Sequence, residues 1–249
     1  MSNSIVTLAH NWVEGKHNPV GMFMSEKLDG VRAVWDGRKL VSRNNKPLYA
    51  PDWWLASLPS NITLDGELWL GRGSFQKVVS VVRKHNPDDQ EWSRVKYMVF
   101  DVVDTSKPWK DRFIVPDSSV ILPVVHYQCS SLVYMTEFYS SIVDNGGEGI
   151  MLRDPSMPYV FGRSYKLLKV KPELECVARV VNYLPGEGKY TGMIGALICK
   201  TNSGIVFNVG SGLTDSDRST PPVIGSIVKI KYASLTDGGK SLRFPRIIT

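Results

Sequence analysis

The sequence predicts an α+β protein of two domains, a mixed domain over residues 1–172 and a small β-barrel over residues 173–249. Two observations carry this prediction. Before Pro172, segments that alternate apolar and polar residues are interspersed with segments whose apolar residues recur every three or four positions. After Pro172, the chain consists mainly of short β-type runs separated by glycine-rich turns.

Three segments of the first domain predict strands. Residues 30–35 alternate, and Asp36-Gly37 predicts a hairpin into residues 39–41. Residues 62–70 predict either a pair of strands or a single bulged strand. Residues 95–103 are rich in β-branched and aromatic residues and predict a further strand.

Two helices are predicted from apolar stripes, one of Phe75, Val78, Val79 and Val82 and one of Leu132, Met135, Phe138 and Ile142. Ser74 is placed to cap the first, and Asn145-Gly146-Gly147 is placed to end the second. We interpret both stripes as core packing.

The second domain contains four predicted strands, at residues 176–183, 193–200, 204–209 and 227–232. Several short strands in so small a region suit a closed barrel such as the oligonucleotide-binding (OB) fold.

The formal charge is +6, and most of it lies in the smaller domain. The first 170 residues hold 20 basic and 18 acidic residues, whereas the last 79 hold 10 basic and 6 acidic ones. A basic surplus in a small module favours a polyanion as partner.

Other features argue against membranes and metal cages. The sequence shows no apolar run long enough to span a bilayer, and its first residues do not resemble a secretory signal. The three cysteines are widely spaced, which favours a reducing compartment over a disulfide framework or a zinc site. We therefore expect a cytoplasmic protein, encoded by a cell or by a virus, that does not engage membranes.

The segment Ser25-Glu26-Lys27-Leu28-Asp29-Gly30-Val31-Arg32 is the most informative one for chemistry. A lysine nucleophile must lose its proton to attack, so it needs neighbouring cations or desolvation. Lys, Asp and Gly are also common in surface turns. The segment alone leaves both interpretations open.

Further chemistry-bearing residues follow in order. Glu67 lies in an apolar segment, where an unpaired charge is costly, and Glu148 follows a glycine-rich turn. Lys169 and Lys171 alternate with apolar residues, and two such ammonium groups on one strand face would fit an anion between them. Phe100 is placed to stack on a base.

Each of these residues also has a structural interpretation. The lysines suit a solvated strand face, the glutamates suit salt bridges at a sheet edge, and Phe100 suits the core. Their occurrence together, in this order, is what predicts a nucleotide site.

The ordered series resembles the covalent nucleotidyltransferase superfamily of DNA ligases, RNA ligases and mRNA capping enzymes. The matching segments are Lys27-Leu28-Asp29-Gly30-Val31-Arg32, Ser42-Arg43, Asp65-Gly66-Glu67-Leu68, Phe100, Glu148-Gly149-Ile150-Met151 and Leu168-Lys169-Val170-Lys171. Nearly the whole chain is similar to minimal ATP-dependent DNA ligases, above all the E-type bacterial and small viral enzymes. In the barrel the matching segments are residues 185–190, 192–197 and 210–212 and Arg243-Phe244-Pro245.

This resemblance implies an ATP-grasp-like nucleotidyltransferase domain followed by an OB domain. It implies that Lys27 attacks the α-phosphorus of ATP, that Arg32 and Glu67 hold the ribose, and that Phe100 stacks on adenine. Lys169 and Lys171 would neutralise the α-phosphate, and Ser25 and Glu26 would also contact the nucleotide.

For the metal, the resemblance implies that Glu148 and Glu67 bind Mg²⁺, with Mn²⁺ as an alternative. Arg43 would meet the 5′-phosphate of a nick. We also expect Arg72 and Lys189 to contact DNA, because both lie in glycine-flanked loops. The expected partner is nicked double-stranded DNA, bound by a monomer.

Two departures from the family pattern stand out. Only 26 residues precede Lys27, so the helical DNA-binding domain of larger ligases has no counterpart there. No clear motif VI follows on the barrel, where Arg243 and Arg246 are the nearest basic candidates.

Two alternatives remain at this point. One is another enzyme of the superfamily, an RNA ligase or a capping guanylyltransferase. The other is a non-catalytic module whose barrel binds single strands.

Overall fold

The chain divides into two compact units, Met1–Val170 and Lys171–Thr249, in a computed structural model. The structure describes residues 4–232, 234–236, 239–243 and 245–248. Phe244 of the Arg243-Phe244-Pro245 segment lies outside these residues. The domain boundary at Pro172 stays a prediction.

The first unit contains ten strands and five helices within its described residues. The strands are β1 (Thr7–Asn11), β2 (Phe23–Glu26), β3 (Val31–Trp35), β4 (Leu40–Ser42), β5 (Leu64–Trp69), β6 (Lys96–Val102), β7 (Ile121–Pro123), β8 (Tyr127–Gln128), β9 (Ile150–Arg153) and β10 (Gly162–Val170). The helices are α1 (Asp52–Ala56), α2 (Phe75–Val82), α3 (Asp89–Trp92), α4 (Trp109–Arg112) and α5 (Leu132–Asp144).

These strands form two five-stranded sheets. The first sheet has the order β1-β10-β9-β2-β8, and the second has the order β4-β3-β5-β6-β7. Only the β1–β10 and β6–β7 pairs are parallel in these two sheets. The mixture of mainly antiparallel sheets with short helices confirms the predicted α+β class.

Each sheet buries one apolar face under helices. The second sheet packs Leu64 and Leu68 against Trp54 of α1 and Val78 of α2. The first sheet packs its own apolar residues, among them Leu168, against α5. Because successive strand residues point to opposite faces, the other face of each sheet is available for polar side chains.

The local sequence patterns predicted several elements of this unit. The hairpin between β3 and β4 is present, and Gly37 at its turn has a φ of 93°. Residues 62–70 contain a single strand, β5 (Leu64–Trp69), whose pairing with β6 is irregular between Asp65 and Gly66. The helix α5 ends at Asp144, with Asn145 as its C-cap, and Gly146 follows with a φ of 80°.

The helix α2 is confirmed, but its buried face differs slightly from the predicted one. Val78, Val81 and Val82 are buried, whereas Val79 is half-buried. Ser74 stands at the N-cap without a side-chain hydrogen bond to the helix. The short helices α1, α3 and α4 and the edge strands β1, β7 and β8 were not predicted, since elements of two to five residues carry little periodic signal.

The second unit is built on a sheet of order β13-β12-β11-β14-β17, with a separate β15–β16 hairpin. Its elements are β11 (Leu174–Pro185), a 3₁₀ turn (Gly188–Tyr190), β12 (Ile194–Thr201), β13 (Val206–Val209), α6 (Asp215–Ser219), β14 (Ile227–Tyr232), β15 (Ser234–Leu235), β16 (Leu242–Arg243) and β17 (Arg246–Ile248). Val180, Leu197 and Ile230 form its core. The four strands that the sequence predicted are confirmed.

The helix α6 was missed although its N-terminus is well marked. Thr214 and Asp217 form a reciprocal capping box. Arg218 then fixes the helix to the sheet, because its guanidinium donates to the main-chain oxygens of Gly195 and Gly210 at 2.6 and 2.8 Å.

Among the described residues, no helix combines the length and the apolar character that crossing a membrane requires.

Candidate functional site

Lys27 and Glu148 meet because the strands beside them are paired. Lys27 follows β2 and Glu148 precedes β9, and these antiparallel strands place Glu26 opposite Ile150. The pairing continues past the strand, since the Lys27 amide donates to the carbonyl of Gly149 at 2.9 Å. The Lys27 ammonium then forms a direct ion pair with the Glu148 carboxylate. About a quarter of each side chain is exposed, so a ligand can reach the pair.

Lys169 lies on the same face of the first sheet as Ser25, which precedes Lys27 by two residues. Ser25 of β2 is paired with Met151 of β9, and Met151 is paired with Lys169 of β10. Residues directly opposite across neighbouring strands point to the same face. Ser25 is buried. Because β10 ends at Val170, strand alternation does not fix the direction of the Lys171 side chain.

The second sheet contributes Arg32 and Glu67, which are directly opposite on β3 and β5. The chain passes close to Glu67 at Gly30, where a Cβ atom would lie 2.8 Å from the Cγ of Glu67. A Cβ atom there would also collide with the backbone carbonyl oxygen of Leu68, which cannot move aside, so glycine is required at this point of the Lys27 segment. Burial raises the pKa of Glu67 to about 8, although the nearby cations Lys27 and Arg32 act in the opposite direction.

Asp65 orients Arg32. The Nε and Nη2 atoms of Arg32 donate to the two carboxylate oxygens of Asp65 at 2.9 and 2.6 Å, and Tyr159 donates to the same carboxylate at 2.7 Å. The guanidinium carbon of Arg32 lies 5.3 Å from the centroid of the Phe100 ring. A bidentate pair of this kind fixes the plane of the guanidinium.

Phe100 owes its position to a β-bulge. Gly66 is paired with Val99 and Asp65 with Asp101, so Phe100 is the extra residue between them. A bulge bends the strand and redirects side chains. Phe100 is half-buried, which leaves part of its ring accessible.

A buried charge network beside the site was not predicted from the sequence. The Asp101 carboxylate accepts from Arg112 of α4 at 2.8 and 2.9 Å and from Arg153 of β9 at 2.7 Å. These three side chains are almost fully buried. The available signal was the charge of Asp101 within an apolar strand, which requires a buried partner.

The remaining predicted residues lie at different places. Glu26 holds Arg72 in a bidentate ion pair at 2.8 and 2.9 Å, and Arg72 also donates to the carbonyl of Asn145. Arg43 is exposed in the tight turn that follows β4. Lys189, in the second unit, is exposed and lies 3.0 Å from Asp215.

The two carboxylates near Lys27, those of Glu67 and Glu148, suit a magnesium ion. No group of three or more His, Cys, Asp or Glu side chains with metal-binding geometry occurs among the described residues. Mg²⁺ does not need such a group, because it binds through one or two carboxylates, substrate phosphates and water. The Lys27 ammonium interacts electrostatically with the carboxylates of both Glu67 and Glu148. The raised pKa of Glu67 indicates that the positive charge around this carboxyl is too small to offset its burial.

Both parts of the chain match models of known families. Residues 9–171 match the ATP dependent DNA ligase domain, and residues 185–249 match the DNA ligase OB-like domain. These matches confirm the nucleotidyltransferase and OB folds expected from the sequence.

Similar proteins span the whole chain. The DNA ligase of Haemophilus influenzae is 30% identical over 256 residues, an alignment that covers 100% of this chain and 91% of that protein. A DNA ligase of Methanocorpusculum labreanum is 30% identical over 70% of this chain, but only 39% of that longer protein is covered.

Solved structures show the same likeness. A structure from a structure–function analysis of DNA binding by Lig E DNA ligases superposes with a TM-score of 0.89 and 34% identity, covering 98% of this chain and 97% of the other. The adenylate form of Chlorella virus DNA ligase, at 23% identity, shares the fold with a TM-score of 0.58 over 99% of both chains.

Proposed function

This chain belongs to the ATP-dependent DNA ligase family, and we propose that it seals nicks in duplex DNA through an AMP group carried on Lys27. The observation that carries the assignment of Lys27 is its ion pair with Glu148, two residues 121 positions apart in the chain. That pair brings a potential nucleophile and a carboxylate together at a partly exposed position.

In the first step, the Lys27 nitrogen forms a bond to the α-phosphorus of ATP, and the bond to pyrophosphate breaks. The amine must lose a proton before it attacks. Glu148 already accepts a hydrogen bond from this amine, so it is the group best placed to take the proton.

Several neighbouring residues would bind the nucleotide. Glu67, directly opposite Arg32, would accept a hydrogen bond from a ribose hydroxyl through its carboxylate. Arg32, oriented by Asp65, holds its guanidinium beside the Phe100 ring, which would stack on adenine. Lys169, with Lys171, would neutralise charge that develops on the α-phosphate.

Glu67 and Glu148 would hold Mg²⁺, for which Mn²⁺ can substitute. The metal would supply positive charge to the phosphate oxygens. Ser25 and Glu26 would support the nucleotide site from the strand that precedes Lys27. Ser25 is a buried neighbour of Lys27, and Glu26 forms an ion pair with Arg72.

The later steps use DNA. AMP passes from Lys27 to the 5′-phosphate at the nick, for which exposed Arg43 would be a contact. The 3′-hydroxyl then attacks that phosphate, the new phosphodiester bond forms and AMP leaves. Arg72 and Lys189 would contact the DNA backbone of a substrate bound by one copy of the chain.

The alternative activities are less well supported. The relatives are DNA ligases, which does not favour an RNA ligase or a capping guanylyltransferase. A purely binding module would have no use for the Lys27–Glu148 pair.

The test is intact-mass analysis of the protein after incubation with ATP or GTP and magnesium. We expect a single AMP adduct with ATP that is absent from Lys27→Ala and retained by Lys39→Ala, which alters an exposed lysine of the β3–β4 turn. An adduct with GMP instead, or an AMP adduct on Lys27→Ala, would overturn the proposal. Sealing of a nicked duplex by the wild-type adduct then tests the DNA steps.

A further inference from the structure

A cavity of about 490 Å³ lies beside the first sheet, where the connection from β1 to β2 meets β10 and the residues after β9. Its lining includes Lys16, His17, Tyr165 and Lys166, and we call it the His17 pocket. Leu168 also lines it. Its lining includes none of Lys27, Glu67, Glu148 and Lys169, so the His17 pocket is distinct from the Lys27 site.

His17 brings an unused hydrogen-bond donor to this pocket. Its Nδ1 atom accepts the amide proton of Val13 at 2.9 Å, so the neutral ring carries its proton on Nε2. Within the described part of the chain, Nε2 is buried and has no hydrogen-bond partner. A buried donor without a partner is costly, which points to a polar ligand at this position.

The surroundings of the pocket are positively charged. Tyr165 is stacked on His10, with ring centroids 3.7 Å apart and an angle of 1° between the planes. Burial lowers the pKa of His10, and Arg163, His17, Lys16 and Lys169 lower it further. The permanent cations Lys16, Lys166 and Arg163 around the pocket create a positive field that favours an anion.

The lining contains one acidic residue, Asp154, and its charge is already engaged. Its carboxylate accepts hydrogen bonds from the amide and hydroxyl of Ser156 at 2.8 and 2.6 Å, and it lies 3.4 Å from the ammonium of Lys166. The ammonium of Lys16 lies 5.8 Å from the centroid of the Tyr165 ring and belongs to an exposed side chain. Lys16 can therefore turn toward a ligand.

We propose that the His17 pocket binds a phosphate group, with His17 Nε2–H and the Lys16 ammonium as donors and the Tyr165 ring as a wall. The phosphate comes either from the DNA backbone or from a free polyphosphate. The DNA source rests on the proposed function, whereas binding of a free polyphosphate does not.

The first arm measures binding of the adenylated protein to a nicked duplex without divalent metal, over a range of salt concentrations. For a backbone phosphate, Lys16→Ala and His17→Ala should bind several-fold more weakly than wild type. Lys16→Ala, which removes a cationic phosphate contact, should also flatten the slope of log affinity against log salt by about 0.9. Lys39→Ala is the matched control, with the same loss of charge from an exposed turn, and it should keep the wild-type slope.

The second arm titrates the unadenylated protein with inorganic pyrophosphate and follows the imidazole signals of His17 by NMR. A free polyphosphate should shift the Nε2 signals in wild type at concentrations that leave the His17 signals of Lys16→Ala unchanged. Adducts of AMP on all variants, by intact mass, show that they are folded and that the Lys27 site works independently.

The outcomes separate cleanly. An effect in the DNA arm assigns the phosphate to the backbone, and an effect in the pyrophosphate arm assigns it to a free ligand. The proposal fails if AMP adducts form, Lys16→Ala and His17→Ala bind the nicked duplex as Lys39→Ala does, and pyrophosphate affects the His17 signals of Lys16→Ala as it affects those of wild type. If no AMP adduct forms on the wild-type protein, the proposed function fails instead.

Discussion

Glu67 should make the protein less stable as the pH rises. Its pKa is 4.5 in an ordinary environment and about 8 in the folded chain, so the folded state binds more protons between these values. The contribution of Glu67 to the free energy of unfolding is complete below pH 4.5 and is lost as the pH rises to about 8. The reason is burial, which penalises the charged carboxylate more than Lys27 and Arg32 compensate.

Glu67→Gln removes this titration. Between pH 5 and pH 8, its free energy of unfolding should fall by on the order of 2 kcal/mol less than that of wild type. Urea unfolding at several pH values measures the difference. Parallel pH profiles for the two proteins would show that Glu67 is ionised at neutral pH in the folded state.

His126 should act in the opposite direction. Burial, assisted by Arg153, lowers its pKa from 6.5 to about 3, while its ring is packed against Trp109 and Phe113. The folded state therefore binds fewer protons between these values. The stability that neutral His126 provides is complete above pH 6.5 and is lost as the pH falls toward 3.

His126→Phe keeps an aromatic ring and removes the titratable group. The variant loses the hydrogen bond between Nδ1 and the carbonyl of Val124, which should cost about 1 kcal/mol at pH 7.5. Relative to wild type, it should become more stable by on the order of 2 kcal/mol between pH 6.5 and pH 4.5. A constant difference in urea unfolding across this range would contradict the prediction.

At the scale of elements, the β5–β6 pair depends on Gly66. A Cβ atom there would lie 2.6 Å from the Met98 carbonyl oxygen and 2.7 Å from a ring carbon of Tyr97. Tyr97 cannot move away easily, since it is fully buried and its hydroxyl oxygen lies 2.9 Å from the carbonyl oxygens of both Ala33 and Leu64, which share its single proton. This close contact lies next to the bulge that positions Phe100.

Gly66→Ala should therefore lower the free energy of unfolding by roughly 3 kcal/mol or more, through overpacking. Gly146→Ala is a useful comparison, because a Cβ atom there meets no atom within 4 Å and only the φ of 80° opposes it. That strain should cost about 1 kcal/mol. If the two variants unfold at the same urea concentration, steric contact at Gly66 is not limiting.

At the scale of the whole first unit, one carboxylate joins parts of the chain that are far apart in sequence. Asp101 of the second sheet binds Arg153 of the first sheet and Arg112 of α4. Arg112 in turn donates to the carbonyls of Lys107 and Met157. The two sheets thus share a buried charge network.

Asp101→Asn leaves two buried arginines without their shared counter-charge, and it should cost on the order of 3 to 5 kcal/mol. Glu91→Gln removes one charge from the exposed pair that it forms with Lys84, and it should cost less than about 1 kcal/mol. Thermal unfolding of both variants measures the contrast. An equally small loss for Asp101→Asn would mean that the arginines find other partners.

Local patterns in the sequence were sufficient for the elements whose side chains repeat with a clear period. The β3–β4 hairpin, α2, α5 and the strands β11 to β14 of the second unit followed from alternation, apolar stripes and turn residues. The order of Lys27, Glu67, Phe100, Glu148 and Lys169 indicated the chemistry, because each is a polar or aromatic group where a plain strand or turn would not require one. Short helices and edge strands escaped, because a few residues cannot display a period.

The contacts of the site were decided by the tertiary structure. Strand pairing across 121 positions joined Lys27 to Glu148, and a bulge placed Phe100 beside Arg32. The loop arginine Arg72, for which we propose a DNA contact, also forms an ion pair with Glu26 that no local pattern indicates. The sequence by itself determined which groups are present and in what order. Only the pairing register of distant strands determined which of them touch, because that register depends on contacts that no local pattern records.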